Sequence, residues 1–388
     1  MTSSAIPLQH SSRQVWGAVL AMSLCAFALV ASEFLPVSLL TPLASDLSLT
    51  EGQAGQAISI SGFFAVVTSL LLSTLTQGID RKPVLLATTA LMLVSGAMVA
   101  FAPNYPTLML GRAVLGIAIG GYWSMSTAVM MRIAPEALVP KAIAVMQGGT
   151  ALATAIAAPV GSYLGGLGAF FCVVPLAAIA LIWQAFTLPA MPGERGTASA
   201  TASLRLLLDS KVALGMAAVA FLFMGQFTLF TYLRPFLETV TQVDVPTLSL
   251  LLLIIGVAGL VGTMMVGSLV GRHLFRVLTG IPLLMAVIAF AVISTGSWVV
   301  PTAVLLGGWG LIATCAPVGW FTWLARMLPE DAEAGGGLMV AVIQLAITVG
   351  ATLGGVLYDG VGYQATFIAS GMMLLVATAL TMRVGRHR

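Results

Sequence analysis

A chain of 388 residues that is 59% hydrophobic and only 7% charged cannot cover a water-facing surface, since soluble domains carry about 25% charged residues. Its mean hydropathy of +1.05 makes the hydrocarbon of a bilayer the solvent for most of the chain. The net charge of +3 is too dispersed for a nucleic-acid partner. Cys25, Cys172 and Cys315 lie as far apart as His10, His273 and His387, which excludes a Cys-x-x-Cys metal site, a disulfide framework and a His-based catalytic cluster. No metal, cofactor or enzymatic activity is expected.

Twelve apolar stretches are long enough to cross about 30 Å of hydrocarbon as helices. They run over 15–40, 53–76, 83–102, 107–131, 141–163, 169–190, 212–238, 247–270, 277–296, 302–326, 336–357 and 365–384. None alternates with the period of two that a membrane barrel strand shows. The fold class expected is therefore an all-α polytopic membrane protein. The first stretch is too long for a signal peptide and carries Glu33, so it reads as an uncleaved first helix. The longest hydrophilic segment, 191–211, is rich in Gly, Ser, Thr and Ala and reads as a linker between residues 1–190 and 212–388. A short repeat agrees: MMRIAPEA (130–137) resembles LARMLPED (324–331), and SEFLPV (32–37) resembles TYLRPF (231–236). Two six-helix pseudo-repeats follow.

Fourteen of the 16 Lys and Arg residues fall on one side if the N-terminus is inside, the exceptions being Arg112 and Arg234. By the positive-inside rule both termini are cytoplasmic.

Among the 13 acidic residues, Glu33 is the one well inside a span. A charge at mid-helix costs roughly 2.5–3.5 kcal/mol, so it requires a reason. Arg112, in span four, lies at similar depth. A structural ion pair is one reading. The sharper one is a carboxylate on which burial and a guanidinium act in opposite senses, leaving it able to exchange a proton at working pH. Substrate contacts are sought among polar and aromatic residues at mid-depth. Trp123 follows Arg112 by eleven residues, nearly the same direction on a helical wheel, with Gly116 leaving room between them. Gln226 and Phe230 share a face of span seven, and Gln344 and Thr348 a face of span eleven. Trp309 and Trp320 are eleven apart in span ten.

LMLGRAVLGIAIGG (108–121) resembles the span-four motif of proton-coupled members of the major facilitator superfamily, with Arg112 at its arginine. GIDRK (78–82) is similar to the superfamily's Gly-x-x-x-Asp-Arg loop motif, AAPVGSYLGG (157–166) to the span-five motif of its antiporters, and ASEFLPVSLL (31–40) to the span-one motif of the twelve-span drug:proton antiporters. The resemblance implies the major facilitator fold, proton coupling through Glu33 and Arg112, and gating through Asp80, Arg81, Pro159 and Gly161. Asp80 and Arg81 are expected to reach the start of span eleven near Gly335 to Gly337 and latch the outward-facing state.

EFLPVSLLTPL (33–43), GQFTLFTYLRP (225–235), APVGWFTWLAR (316–326) and VAVIQLAITVG (340–350) look like the bacterial purine ribonucleoside efflux pumps. That implies export of inosine, guanosine and related purines against protons from a monomer in the inner membrane. Trp123, Gln226, Phe230, Trp320 and Gln344 are then the substrate-binding candidates: aromatic faces stack a purine, and amides bond its edge or the ribose. Efflux of sugars or of small drug-like compounds is the alternative. A membrane sensor on the same fold is a third reading, although the linker and C-terminal tail are short.

Overall fold

The computed structural model describes residues 12–76, 78–135, 138–192, 204–328 and 332–386. Residues 193–203 of the expected linker, and Glu136, Pro329 and Glu330 of the short repeat, lie outside them. The described residues form helices and no strand. These are α1 (Ser12–Leu47), α2 (Glu51–Leu75), α3 (Arg81–Ala100), α4 (Tyr105–Ile133), α5 (Val139–Leu164), α6 (Val173–Thr187), α7 (Ser210–Phe230), α8 (Leu233–Thr239), α9 (Val245–Thr295), α10 (Val299–Ala313), α11 (Cys315–Met327), α12 (Ala332–Gly360) and α13 (Tyr363–Arg386).

Helices begin where a short polar side chain precedes an apolar run. Thr50 caps α2 in a reciprocal box with Gln53, Asp80 caps α3, Asn104 caps α4, Asp209 caps α7 and Asp244 caps α9, each accepting from an otherwise orphaned backbone N–H. The bonds from Thr247 hold the Asp244 carboxyl below its usual range. At the far end of α5, Gly165 and Gly166 take φ of +68° and +64°, the left-handed region that suits glycine at a helix terminus.

The spans differ from expectation in three places. Span seven is broken into α7 and α8, because Pro235 can neither bond nor clear the carbonyl of Thr231 four residues back. Span ten is broken into α10 and α11 for the same reason, with Pro317 opposite Ala313. Spans eight and nine are two helices, Val245–Val266 and His273–Thr295, joined within α9 without an intervening loop, across a kink at the non-helical His273 (φ −135°, ψ 44°). Among the described residues, eleven stretches are long and apolar enough to cross a membrane. The 26-residue α5 takes the place of the fifth expected span. This is a multi-pass membrane protein.

Two apolar cores form. One gathers residues of α1 to α6 around Met22, Leu29, Leu40, Ile119 and Phe170. The other gathers α7 to α13 around Leu222, Phe236, Trp309 and Phe367. The first six helices meet the rest along α1 against α7 and α8, α2 against α12, and α5 against α9. Alternating helices put Arg132, Arg205 and Arg276 at one end of the molecule and Asn104 and Asp244 at the other. With native cysteines removed, single cysteines at the first three positions are expected to react only with reagent on the cytoplasmic side, and at the last two only from outside. Labelling of both sets from one side would overturn the orientation.

Candidate functional site

The site is built on a peculiarity of α1. Pro36 and Pro42 both lie inside this helix. Neither can donate a backbone hydrogen bond, so the carbonyls four residues earlier, Ser32 and Ser38, lose their helical partners. An arginine from elsewhere takes each one. Arg112 of α4 donates from Nη1 to Ser32 O at 2.6 Å, and Arg234 of α8 donates from Nη1 to Ser38 O. These are the two arginines that the positive-inside rule left out of the basic loops.

Arg112 is 1% exposed and its donors are well used. Nε donates to Ala57 O at 2.8 Å, and Nη2 donates to Ser61 Oγ at 3.0 Å and to Glu33 O at 3.2 Å. The alternative of a direct ion pair between the two side chains is not what the structure shows. Arg112 holds the main chain of α1 and α2, and it reaches Glu33 through the backbone carbonyl while acting on the carboxylate only through space. Arg234 has a carboxylate partner, Glu238, at 2.8 Å. Gly116 also differs from expectation: a Cβ there would collide with the Ser61 carbonyl, so this glycine admits α2 and leaves no room for a ligand.

Glu33 is 5% exposed. Its Oε1 accepts from Gln344 Nε2 of α12 at 3.0 Å, and the Gln344 Oε1 is buried with no partner. Ionised, the carboxylate can only accept, and it takes the amide N–H. Protonated, it becomes a donor, and the amide oxygen is the matching acceptor after a turn of the amide. The same two side chains can therefore bond in either protonation state, through opposite ends of the amide. This joins a proton-coupling candidate to a substrate-binding candidate.

Aromatic residues on the helices that carry this pair and Gln226 meet one another. Phe34 stacks on Phe227 of α7 (centroids 5.6 Å, planes 24° apart), and Phe227 meets Phe230 edge-on at 6.1 Å. Trp123 packs with Phe27 and Phe34 against Val30, Ala31, Ala153 and Ala157. Gln226 precedes Phe227 and its Oε1 is buried without a partner. Trp320 is 1% exposed, lies edge-on to Trp323 at 5.4 Å and belongs to the core of α7 to α13, as Phe227 also does. Phe34 and Phe227 were missed because an apolar ring in an apolar helix carries no signal by itself. Their positions next to Glu33 and Gln226 were the available hint.

Away from the termini the seam between α2 and α12 is closed. Thr50 Oγ1 and the Gly52 N–H donate to the Asp359 carboxylate at 2.6 and 2.9 Å. Deeper in, Ser59 and Thr348 exchange hydroxyl-to-carbonyl bonds at 3.2 and 3.3 Å, and Thr352 Oγ1 bonds Ser59 Oγ at 2.9 Å. At the end that carries the termini, the expected latch is not made. Asp80 accepts from the N–H groups of Lys82 and Met191 at 2.8 and 3.0 Å, and Arg81 Nη1 donates to Thr76 Oγ1 at 2.8 Å. Both stay within the first six helices, while Gly336 and Gly337 face open space. Capping α3 occupies Asp80, so a bridge to α12 requires the other closure of the molecule. Pro159 frees the Ala155 carbonyl, against which the backbone of Gly256 in α9 is pressed, and Gly161 abuts Leu35 and Ser38 of α1. These two are packing points of α5 against α9 and α1. Among the described residues no cluster of His, Cys, Asp and Glu could hold a metal ion.

A family profile described as Major Facilitator Superfamily matches residues 22–335. The chain is 55% identical over 394 residues to the transcription regulatory protein OpdE of Pseudomonas aeruginosa, covering 100% of this chain and 97% of the relative. It is 40% identical over 378 residues to the purine ribonucleoside efflux pump NepI of Salmonella paratyphi B, covering 96% and 95%. Among solved structures it resembles a D-xylose-proton symporter (TM-score 0.76, 16% identity, 95% and 97% covered) and the nucleoside transporter NupG (TM-score 0.73, 16% identity, 95% and 99% covered). At that identity the likeness speaks to the fold alone.

Proposed function

The chain belongs to the Major Facilitator Superfamily, and from that premise we propose that it exports purine ribonucleosides, such as inosine and guanosine, in exchange for protons by alternating access. The observation that carries the reading is the bond between Glu33 and Gln344. It places the one deeply buried acid in direct contact with a polar group of the opposite six helices, at the seam that must open and close. The 40% relative named as a purine ribonucleoside efflux pump supports the substrate class. In this reading residues 1–190 and 212–388 are two rocking halves joined by 191–211, and a monomer sits in the bacterial inner membrane with both termini in the cytoplasm.

The described state has its outer seam closed and is ready to load from the cytoplasm. With Glu33 ionised, an incoming ribonucleoside competes for Gln344 and offers its own donors to the carboxylate. After the halves rock, an outer proton neutralises Glu33, which weakens its hold on those donors and releases the solute. The protonated carboxyl, bonded to the amide oxygen of Gln344, then returns inward without a charge to bury. Arg112 positions Glu33 by pinning the backbone around it.

One proton against a neutral solute moves one positive charge inward per turnover. Transport is therefore expected to respond to voltage by about 2.3 kcal/mol per 100 mV. In inverted vesicles with an acidic lumen, labelled inosine is expected to accumulate, and to stop when the proton gradient is collapsed. Gln344→Ala and Gln226→Ala are expected to weaken it. Accumulation of pentoses or thiogalactosides without inosine would select sugar efflux. The 55% relative named a transcription regulatory protein favours a second reading, a membrane sensor on the same fold, which absence of flux of any solute would select.

A further inference from the structure

Of the ring pairs within the described residues, Phe34 with Phe227 is the one that joins the two halves; the others lie within one half. Phe34 packs both against the core of α7 to α13 and against the small patch of α1 and α5. Each ring follows a polar residue of the site: Glu33 before Phe34, Gln226 before Phe227. Two buried amide oxygens, of Gln226 and Gln344, have no donor. A plain apolar contact between halves has no need of near-parallel rings.

We propose that Phe34 and Phe227 are the two jaws of a clamp for a planar nucleobase, which enters between the rings as the halves part. The inference rests on the purine-export reading above and names the contacts that select the base. At a centroid distance of 5.6 Å the rings touch and no layer fits between them. A layer needs about 3.5 Å on each face, so the jaws must separate to about 7 Å. For rings already in contact that is a widening of about 3.5 Å between planes, which the rocking of two six-helix bodies has to supply. The empty pair thus keeps the jaws shut on each other, and the base replaces one aromatic contact by two. Phe230, edge-on to Phe227, holds that ring upright. The base edge then meets the two amide oxygens, which need N–H donors; the N1–H of hypoxanthine and the N1–H and amine of guanine supply them. Sugars carry hydroxyl donors but no planar π-face to fill a gap between two near-parallel rings, so the clamp favours a base over the sugar that the sequence leaves open.

The test uses full-length protein in lipid nanodiscs and labelled inosine at equilibrium, with ribose as competitor. Phe34→Leu and Phe227→Leu keep an apolar side chain of similar length and are each expected to weaken inosine binding roughly tenfold. Tyrosine at either position keeps the ring and is expected to restore binding to within about twofold. Thermal unfolding read alongside separates loss of the clamp from loss of the fold. Leucine variants that bind inosine as the native protein does would overturn the clamp while leaving purine export standing. So would tyrosine variants that stay folded yet lose binding as far as leucine does. A native protein that binds ribose but no inosine would overturn both.

Discussion

Glu33→Gln is expected to abolish uphill export while leaving a folded protein that still exchanges labelled inosine for unlabelled inosine across the membrane. Glutamine keeps the shape of the side chain, and its own amide oxygen can accept the Gln344 N–H that the carboxylate accepts at 3.0 Å. What it removes is the proton. The neutral amide resembles the protonated carboxyl, so the return of the empty carrier no longer requires proton uptake, and solute flux and proton flux are uncoupled. Stability should hold or rise, because a buried charge has been replaced by a neutral group of the same size. The measurement is paired: inosine accumulation driven by a proton gradient, and inosine–inosine exchange without one. Exchange without accumulation supports the assignment. Accumulation equal to that of the native protein would remove Glu33 from the coupling mechanism.

Loss of Arg112 should act on the fold, and its rescue identifies the cause. Arg112→Leu leaves the Ser32 carbonyl in apolar surroundings without its donor, at about 1–3 kcal/mol for the buried group, whereas the Ala57 carbonyl keeps the Ser61 hydroxyl. A loss of roughly 1–3 kcal/mol follows, a large fraction of the stability of a marginally stable chain. The Ser32 carbonyl is orphaned because residue 36 is proline. Pro36→Ala returns an N–H to that carbonyl from within α1, so Arg112→Leu should cost about 1–2 kcal/mol less in the Pro36→Ala background. If Arg112 served instead as the ion-pair partner of the carboxylate, Glu33→Gln would rescue it and Pro36→Ala would not. Unfolding of the four proteins of each cycle in one detergent decides between them.

The sequence by itself determined the membrane class, the number of crossings and their helical character. Each follows from local physics: hydrocarbon thickness sets length, and a run without period-two alternation is a helix. It also singled out Glu33, since a charge among leucines is conspicuous, and the breaks at Thr231 and Ala313 were legible in Pro235 and Pro317. What happens at the other prolines was decided only by the tertiary structure. Pro36 and Pro42 leave α1 unbroken because arginines from α4 and α8 satisfy the carbonyls they release, and nothing within α1 announces those donors. The partner of Glu33 was equally hidden: Gln344 lies 311 residues away, and Arg112, the candidate at matching depth, turned to the backbone. The reason is that a helix apolar on all sides has no stripe to say which face meets protein and which meets lipid. In lipid, apolar surface gains nothing by turning inward, so close packing and the few buried polar bonds choose the neighbours. Those choices placed Trp320 in a core and Phe34 against Phe227.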